Sequence, residues 1–275
     1  MELLSTPTGQ ALEPALYLDP EVAEHEQRLI FERTWQLAGH VSQLPKPGAY
    51  LTAWVGNQPV LVVRAESGEL RAFRNVCRHQ GMGVVEIGAG SSAGLRCKYH
   101  GWAYDLDGRF ISAPSLVAPA DPSSSDNSLE RISLAIWHGL AFVSLTGTAE
   151  SLARFLDMHA IDETRFSGES STDIGCNWKL YIEHCLAEDP ASWAWPALIV
   201  RSSANGAEVQ QVIPRSFSRT RVVQHSFGAA RLDLAPAKAA CEDAQKRIEA
   251  GELPPAASSA VAAFRGRVGS CVQPA

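Results

Sequence analysis

Two short segments of the chain combine cysteine and histidine at a spacing that could bind metal. The first contains Cys77 and His79, the second contains Cys97 and His100, and residues 80–96 separate the two pairs. A thiolate and a neutral imidazole are ligands for zinc and for iron. Two cysteines with two histidines make up a Cys₂His₂ zinc site, and also a [2Fe–2S] centre in which two histidines replace two cysteines on one iron.

The order of these ligands favours the iron–sulfur centre. A Cys₂His₂ zinc site usually places its two cysteines together and its two histidines together. Here each pair mixes the two residue types, and each is followed within two residues by a glycine, Gly81 or Gly101. Glycine lets the backbone come close to a cluster, where N–H groups can donate to sulfur. We therefore predict a [2Fe–2S] cluster held by these four side chains.

The surroundings of the four ligands resemble the Rieske domain of the ring-hydroxylating and demethylating non-haem iron oxygenases. The likeness is carried by four runs of residues, namely 71–76, 77–81, 97–102 and 104–109. Gln80 is a small departure, since arginine is commoner there in the family. Respiratory-chain Rieske proteins carry two further cysteines beside the cluster. Met82 and Tyr99 stand near those positions, so the resemblance is to the oxygenase type.

This resemblance implies a fold and a set of partners. The fold is α+β, with an antiparallel β Rieske domain followed by a shortened, helix-grip-like α+β domain of the catalytic type. The expected segments are 1–39, a helical segment packing on the C-terminal domain, 40–146, the Rieske domain, and 147–275, the catalytic-like domain. The resemblance also implies an oligomer built on a trimeric ring, and electrons supplied from NAD(P)H through a reductase or a ferredoxin.

Local patterns predict the elements that position the ligands. Pro20 and the acidic residues after it favour a helix over residues 21–35. Alternating or β-branched runs predict strands over residues 50–55, 59–64 and 70–75. Turn residues predict hairpins at 107–108 and at 138–139. Residues 1–12 read as a loose lead-in, residues 150–159 as a short helix, and residues 167–172 as a polar loop.

A second block, residues 177–184, reads Asn-Trp-Lys-Leu-Tyr-Ile-Glu-His and has helical spacing. Asn177 can cap this helix and Pro190 should end it. The block resembles the motif that opens the catalytic domain of the same oxygenases, although His184 stands where asparagine is usual.

In that family the helix leads to two histidines, which join a later carboxylate around a mononuclear iron, the 2-His-1-carboxylate arrangement. The matching positions in this chain are Ala191 and Pro196, and neither side chain can bind a metal. No histidine lies between His184 and His225. We therefore predict that mononuclear Fe(II) is absent from this chain.

Two carboxylates match other parts of the family's site. Glu188 stands where the family has an acid that bridges the cluster of one subunit to the iron of its neighbour. Asp243 weakly resembles the third iron ligand and is a candidate remnant of it. For each of the two, the simpler interpretation is a solvated surface charge. Only residues 177–275 follow Cys176, so we expect a reduced pocket.

Composition excludes several classes of function. The chain has 24 Lys and Arg against 30 Asp and Glu, a net charge of −6, and no basic run, so nucleic acid is not an expected partner. The N-terminus lacks a basic signal region, and the longest apolar run, 132–145, is too short to span a bilayer. We expect a cytoplasmic protein. Buried free thiols are expected at the other cysteines, Cys176, Cys185, Cys241 and Cys271.

Three functions are compatible with these features. The favoured one is an electron-transfer subunit of a heteromeric oxygenase, inactive alone, that donates electrons to an iron-bearing partner subunit. The second is a self-sufficient oxygenase with displaced iron ligands, for which His184, Glu188 and His225 are the candidates. The third is a redox carrier, a sensor or a structural subunit outside oxygenase chemistry. The sequence specifies neither a substrate nor the choice between hydroxylation and demethylation.

Overall fold

The computed structural model describes residues 14–147, 166–252 and 258–272. The chain forms two compact units: one comprises residues 31–153, and the other joins residues 1–30 to residues 154–275. The strands pair antiparallel throughout the described part, and helices accompany the larger sheet. The predicted α+β class is confirmed. The segments predicted as a lead-in at 1–12 and as a helix at 150–159 lie outside the described residues.

The helices are α1 Ala15–Leu18, α2 Pro20–Leu29, α3 Trp178–Glu188, α4 Ala235–Glu249 and α5 Ser259–Val272. Among the described residues, no helix is both long enough and apolar enough to cross a membrane. The strands of the unit formed by residues 31–153 are β1 Gln36–His40, β2 Ala49–Val55, β3 Gln58–Arg64, β4 Leu70–Arg74, β5 Ala89–Ser91, β6 Leu95–Arg96, β7 Ala103–Tyr104, β8 Phe110–Ser112, β9 Ser133–Trp137 and β10 Leu140–Ser144.

Three small sheets make up this unit, with strand orders β4-β3-β2-β5, β1-β10-β9 and β6-β7-β8. The predicted hairpin turns are present. His138 and Gly139 both have positive φ and join β9 to β10, with Trp137 opposite Leu140. Gly108, with φ +81°, lies in the turn between β7 and β8, and a Cβ there would collide with the Phe73 ring. Glycine is therefore required at this position.

The N-terminal helical segment is shorter than predicted. Asp19 caps α2 by accepting from the Glu21 N–H at 2.8 Å, but α2 ends at Leu29 instead of continuing to residue 35. Residues 36–40 form β1, which pairs with β10 in the unit of residues 31–153. The unit boundary therefore falls at 30/31, nine residues before the predicted boundary at 39/40.

The other unit is built on a five-stranded sheet of order β11-β15-β14-β13-β12. Its strands are β11 Phe166–Ile174, β12 Trp193–Ala194, β13 Leu198–Ser203, β14 Gly206–Ser216 and β15 Arg219–Gly228. Helix α3 packs on this sheet and contacts α4 and α5. The predicted loop at 167–172 is wrong, because these residues form β11, which pairs with β15 along its whole length.

Buried charges connect the helices of this unit. Lys179 Nζ lies 2.5 Å from Glu26 Oε1, and both side chains are almost fully buried. The Trp178 indole donates to the other Glu26 oxygen at 2.7 Å. On the same helix, Glu183 accepts two hydrogen bonds from the Arg265 guanidinium at 2.8 and 2.9 Å. These pairs fix α3 between α2 and α5.

Candidate functional site

The four predicted cluster ligands lie in two loops with the same backbone hydrogen bonds. In each loop the cysteine N–H donates to the carbonyl of the residue five positions later. The N–H of the glycine four positions after the cysteine donates to the cysteine carbonyl. The four bonds are Cys77 N to Met82 O, Gly81 N to Cys77 O, Cys97 N to Trp102 O and Gly101 N to Cys97 O, at 2.7–2.9 Å. Gly81 and Gly101 have φ of +75° and +74°, which closes each turn.

These matched turns bring the histidines together. His79 Nδ1 lies 3.0 Å from His100 Nδ1. Two imidazole nitrogens on one tetrahedral metal, at about 2.1 Å each, are roughly 3.4 Å apart, so the observed spacing suits a shared metal ion. Both rings are half-buried and reach the surface.

The two thiols form the inner part of the site, since Cys77 and Cys97 are 3% and 2% exposed. Burial raises the pKa of the Cys77 thiol, hydrogen bonds from Tyr104 and from the His79 N–H lower it, and the neighbouring Cys97 thiol raises it further. Two sulfurs inside and two nitrogens outside are the donor set that a [2Fe–2S] cluster with mixed ligands needs.

The placement of these donors does not suit a single zinc ion. Within residues 14–147, 166–252 and 258–272, no three His, Cys, Asp or Glu side chains are arranged to hold one metal ion. A [2Fe–2S] cluster needs only two protein ligands for each iron, so the cysteine pair and the histidine pair can bind separate ions. The geometry favours the cluster over the Cys₂His₂ zinc alternative.

Two aromatic side chains to which the sequence assigned no role, Tyr104 and Trp102, hold the ligands in place. The Tyr104 hydroxyl lies 3.2 Å from Cys77 Sγ and accepts from the Arg78 N–H at 3.1 Å. The Trp102 ring stacks on His79 with centroids 5.2 Å apart and an angle of 11°. Its indole N–H donates to Val117 O at 2.8 Å, which fixes the ring. Trp102 follows the ligand motif directly, so its role could have been suspected from sequence.

The second predicted site lies at the end of α3. Asn177 caps this helix as predicted, accepting from the Lys179 N–H at 3.0 Å. Glu188 is the last residue of α3, and its two oxygens lie 3.1 Å from Arg201 Nη2 and 3.4 Å from His184 Nε2. The Glu188 side chain is 53% exposed. It is therefore held by an ion pair and remains accessible.

The two positions predicted from the sequence to correspond to the family's iron-binding histidines, Ala191 and Pro196, carry no metal-binding side chain. Ala191 lies in a single 3-10 turn, where its N–H donates to Asp189 Oδ1 at 3.0 Å. Pro196 follows Trp195 through a cis peptide and is buried, with its carbonyl accepting from the Trp193 indole at 3.0 Å. Asp243 is exposed on α4, whose buried residues are Cys241, Gln245 and Ile248.

The displaced-ligand set of His184, Glu188 and His225 is not assembled. Gln210 lies opposite Gln224 in the sheet and accepts from the Tyr181 hydroxyl of α3, so these residues face that helix. His225 is the next residue along β15 and therefore points to the opposite face. It lies beside Glu169, with Nδ1 to Oε2 of 3.5 Å. Strand alternation thus separates His225 from the end of α3, and this prediction is wrong.

Comparison with known proteins agrees with the geometry of the first site. Residues 34–131 match the family model of the Rieske [2Fe-2S] domain, which covers all four ligands. The alpha subunit of biphenyl 2,3-dioxygenase from Rhodococcus jostii RHA1 is 36% identical over 200 residues, 68% of this chain and 43% of that protein. The oxygenase subunit of glycine betaine monooxygenase from Chromohalobacter salexigens is 34% identical over 193 residues, 66% of this chain and 43% of that protein. The chain thus spans about half the length of the curated relatives it matches.

Solved structures show the same fold at lower identity. The apo form of the quaternary ammonium Rieske monooxygenase CntA superposes with a TM-score of 0.80 at 19% identity, covering 99% of this chain and 100% of that chain. Naphthalene 1,2-dioxygenase from a Rhodococcus species superposes with a TM-score of 0.62 at 18% identity, covering 95% of this chain and 84% of that chain. The chain carries a Rieske [2Fe–2S] domain and is a homologue of the alpha subunits of the Rieske non-haem iron oxygenases.

Proposed function

We propose that this chain is the Rieske [2Fe–2S] electron-transfer subunit of a heteromeric non-haem iron oxygenase, in which a partner subunit holds the mononuclear iron. One contrast within the chain carries the proposal. The four cluster donors lie together and are supported by packing. Ala191 and Pro196 stand where the resemblance in the sequence places the family's iron-binding histidines, and neither side chain can bind a metal. The chain would then be inactive alone and active as a donor.

Each residue of the first site has a proposed role. Cys77 and Cys97 hold one iron, and His79 and His100 hold the other. When bound, such a cluster supplies one-electron transfer. The histidine pair reaches the surface, so it is the side on which a partner can approach. Trp102 keeps the His79 ring in its orientation by stacking on it.

Partners follow from the relatives. Inter-subunit electron transfer is described for the quaternary ammonium Rieske monooxygenase. We propose the same for this chain, in a ring based on trimers, with a reductase or ferredoxin as electron source. Glu188 is the proposed bridging carboxylate. It is accessible at the end of α3, and its charge is balanced by Arg201 in the absence of a partner.

Iron counting tests the proposal directly. The purified chain should contain two irons and two acid-labile sulfides and show the absorption of a Rieske cluster. Nitric oxide added to the reduced protein should give no EPR signal of a mononuclear ferrous nitrosyl. A third iron with that signal would contradict the proposal and favour a self-sufficient oxygenase with ligands that we have not identified.

A pair of histidine variants tests the ligand assignment. His100→Ala should lose the visible spectrum of the cluster and at least one iron. His25→Ala removes an exposed imidazole of α2 and should retain both. Retention of the spectrum in His100→Ala would refute the assignment.

Turnover tests the role as a subunit. With a reductase, NAD(P)H and oxygen, the chain alone should give no product. Addition of an iron-bearing alpha-type subunit that co-purifies with it in fixed stoichiometry should give oxygen-dependent product. A redox carrier outside oxygenase chemistry would give none in either case.

A further inference from the structure

A cavity of about 290 Å³ lies where β11 ends beside the turn that joins β14 to β15. This volume is just below the range of typical small-molecule sites, about 300–1,000 Å³. The lining is dominated by charge, and consists of Asp173, Ile174, Gly175, Arg215, Arg219 and Arg221. The cavity is separate from the cluster ligands, which belong to the other unit.

Strand register places the three arginines around this cavity. Asp173 of β11 lies opposite Arg221 of β15. Arg219 is two residues before Arg221 and therefore shares its face of the sheet. Arg215 is the extra residue of a β-bulge, where β14 has two residues opposite Arg219. A bulge of this kind redirects a side chain, and bulges are common beside binding sites.

Two buried side-chain hydrogen bonds hold the backbone that carries these arginines. The buried Asn177 side chain donates to Phe217 O in the β14–β15 turn at 2.9 Å. The buried Thr220 hydroxyl donates to Cys176 O at 2.7 Å. These two bonds anchor the turn to the start of α3, so the arginines project from a rigid support.

Only one of the three arginines is neutralised. Arg221 binds both oxygens of Asp173, at 2.7 and 2.8 Å. Lys238 donates to the Asp173 carbonyl at 2.9 Å. The side chains of Arg215 and Arg219 make no hydrogen bond or ion pair with any residue in the described ranges. The lining therefore keeps a formal charge of +2 from three arginines and one aspartate, in a chain whose net charge is −6.

We propose that this cavity binds a small oxyanion ligand, whose phosphate or carboxylate group is held by Arg215 and Arg219. The guanidinium fork matches the oxygens of both groups and can bind either in a bidentate manner. An anion between the two arginines would also relieve their mutual repulsion. The cavity has roughly ten times the volume that one water occupies in the liquid, which leaves room for a phosphate monoester or a dicarboxylate.

Calorimetric titration of the full chain tests this site. Inorganic phosphate and malonate are titrated separately at constant ionic strength, and at least one should bind saturably. Arg215→Gln and Arg219→Gln should each weaken that binding by about tenfold or more. Asp173→Asn removes the negative charge from the lining and should tighten it. Arg247→Gln makes the same charge change on α4 outside the cavity, and should leave binding unaltered.

The two titrants separate the two possible sources of the anion. Preference for phosphate would assign a phosphorylated ligand, and preference for malonate a dicarboxylate. The proposal is overturned if neither anion binds saturably, if Arg247→Gln weakens binding as much as Arg215→Gln, or if Asp173→Asn weakens it. All four side chains are at least partly exposed, so these variants should fold, and their melting curves check this.

Discussion

The hydroxyl of Tyr104 should set the reduction potential of the proposed cluster. It accepts from the Arg78 N–H, so its own proton is available to Cys77 Sγ, 3.2 Å away. Tyr104 is fully buried, which prevents water from replacing the hydroxyl. Burial and the contact with Cys77 raise the pKa of Tyr104, so it remains a donor at physiological pH. Tyr104→Phe removes this one hydrogen bond and keeps the ring.

The expected sign follows from charge. A reduced cluster carries one more negative charge than an oxidised one, so its cysteine sulfurs accept a hydrogen bond more strongly. Loss of the bond therefore destabilises the reduced form and lowers the potential. A hydrogen bond contributes about 0.5–1.5 kcal/mol net. If the hydrogen bond is stronger by that amount in the reduced cluster than in the oxidised one, its loss should lower the potential by roughly 20–65 mV. This conversion uses about 59 mV for a tenfold change in the equilibrium constant of a one-electron reduction.

A dye-mediated redox titration followed by visible circular dichroism measures this shift. Tyr50→Phe is the matched control, because it removes a tyrosine hydroxyl from β2 in the same unit. Iron content should be equal in both variants. Equal potentials in Tyr104→Phe and in the parent chain, or a rise in Tyr104→Phe, would refute the assigned direction of the hydrogen bond.

Three further variants test other parts of the structure. Lys179→Met leaves the Glu26 carboxylate buried without its cation and should lower the free energy of unfolding by about 3–5 kcal/mol, seen in calorimetry as a fall in Tm of roughly 6–20 °C. The double variant that also carries Glu26→Leu should recover most of this stability. Burial raises the pKa of Glu208, so the folded protein loses stability when this carboxyl ionises as pH rises through that pKa. Glu208→Gln should therefore raise Tm by a few degrees at pH 8 and leave Tm unchanged at pH 4. An equal gain at both pH values would contradict the raised pKa. Glu188→Gln should slow electron transfer to a partner by about tenfold in stopped flow, while stability changes by less than about 0.5 kcal/mol.

The ligand site could be predicted from sequence because its signals are local. Cysteine and histidine spacing indicated the candidate donors, and glycine at fixed positions indicated the turns that bring them together. The hairpin at His138 and Gly139 was predictable for the same reason. The support from Tyr104 was not, since this contact joins residues 27 positions apart and no local pattern encodes it.

The errors lie where the local signal is weak or ambiguous. Residues 167–172 look like a loop because they are polar, yet they form an edge strand, which needs backbone partners and little burial. The helix predicted to run to residue 35 ends at Leu29, because the apolar residues Phe31 and Trp35 belong to the other unit. The prediction that His184 and His225 share an iron site rested only on both residues being histidines. Only the register of β14 and β15 shows that His225 faces away from α3.

Glu188 is an unusual residue for the end of a helix, and this supports a functional role. A negative charge in the last turn opposes the helix dipole and costs about 0.3–1 kcal/mol, and α3 has no basic residue there to offset it. The exposed ion pair with Arg201 stabilises the fold by a similar amount, roughly 0.2–1 kcal/mol. Asp189 beside it has a structural use, since it caps the next turn through the Ala191 N–H. The ion pair only offsets this cost, so Glu188 brings no net gain in stability, and natural proteins tend to break such local rules at functional sites. The proposed role as a bridging carboxylate toward a partner subunit would account for this accessible side chain.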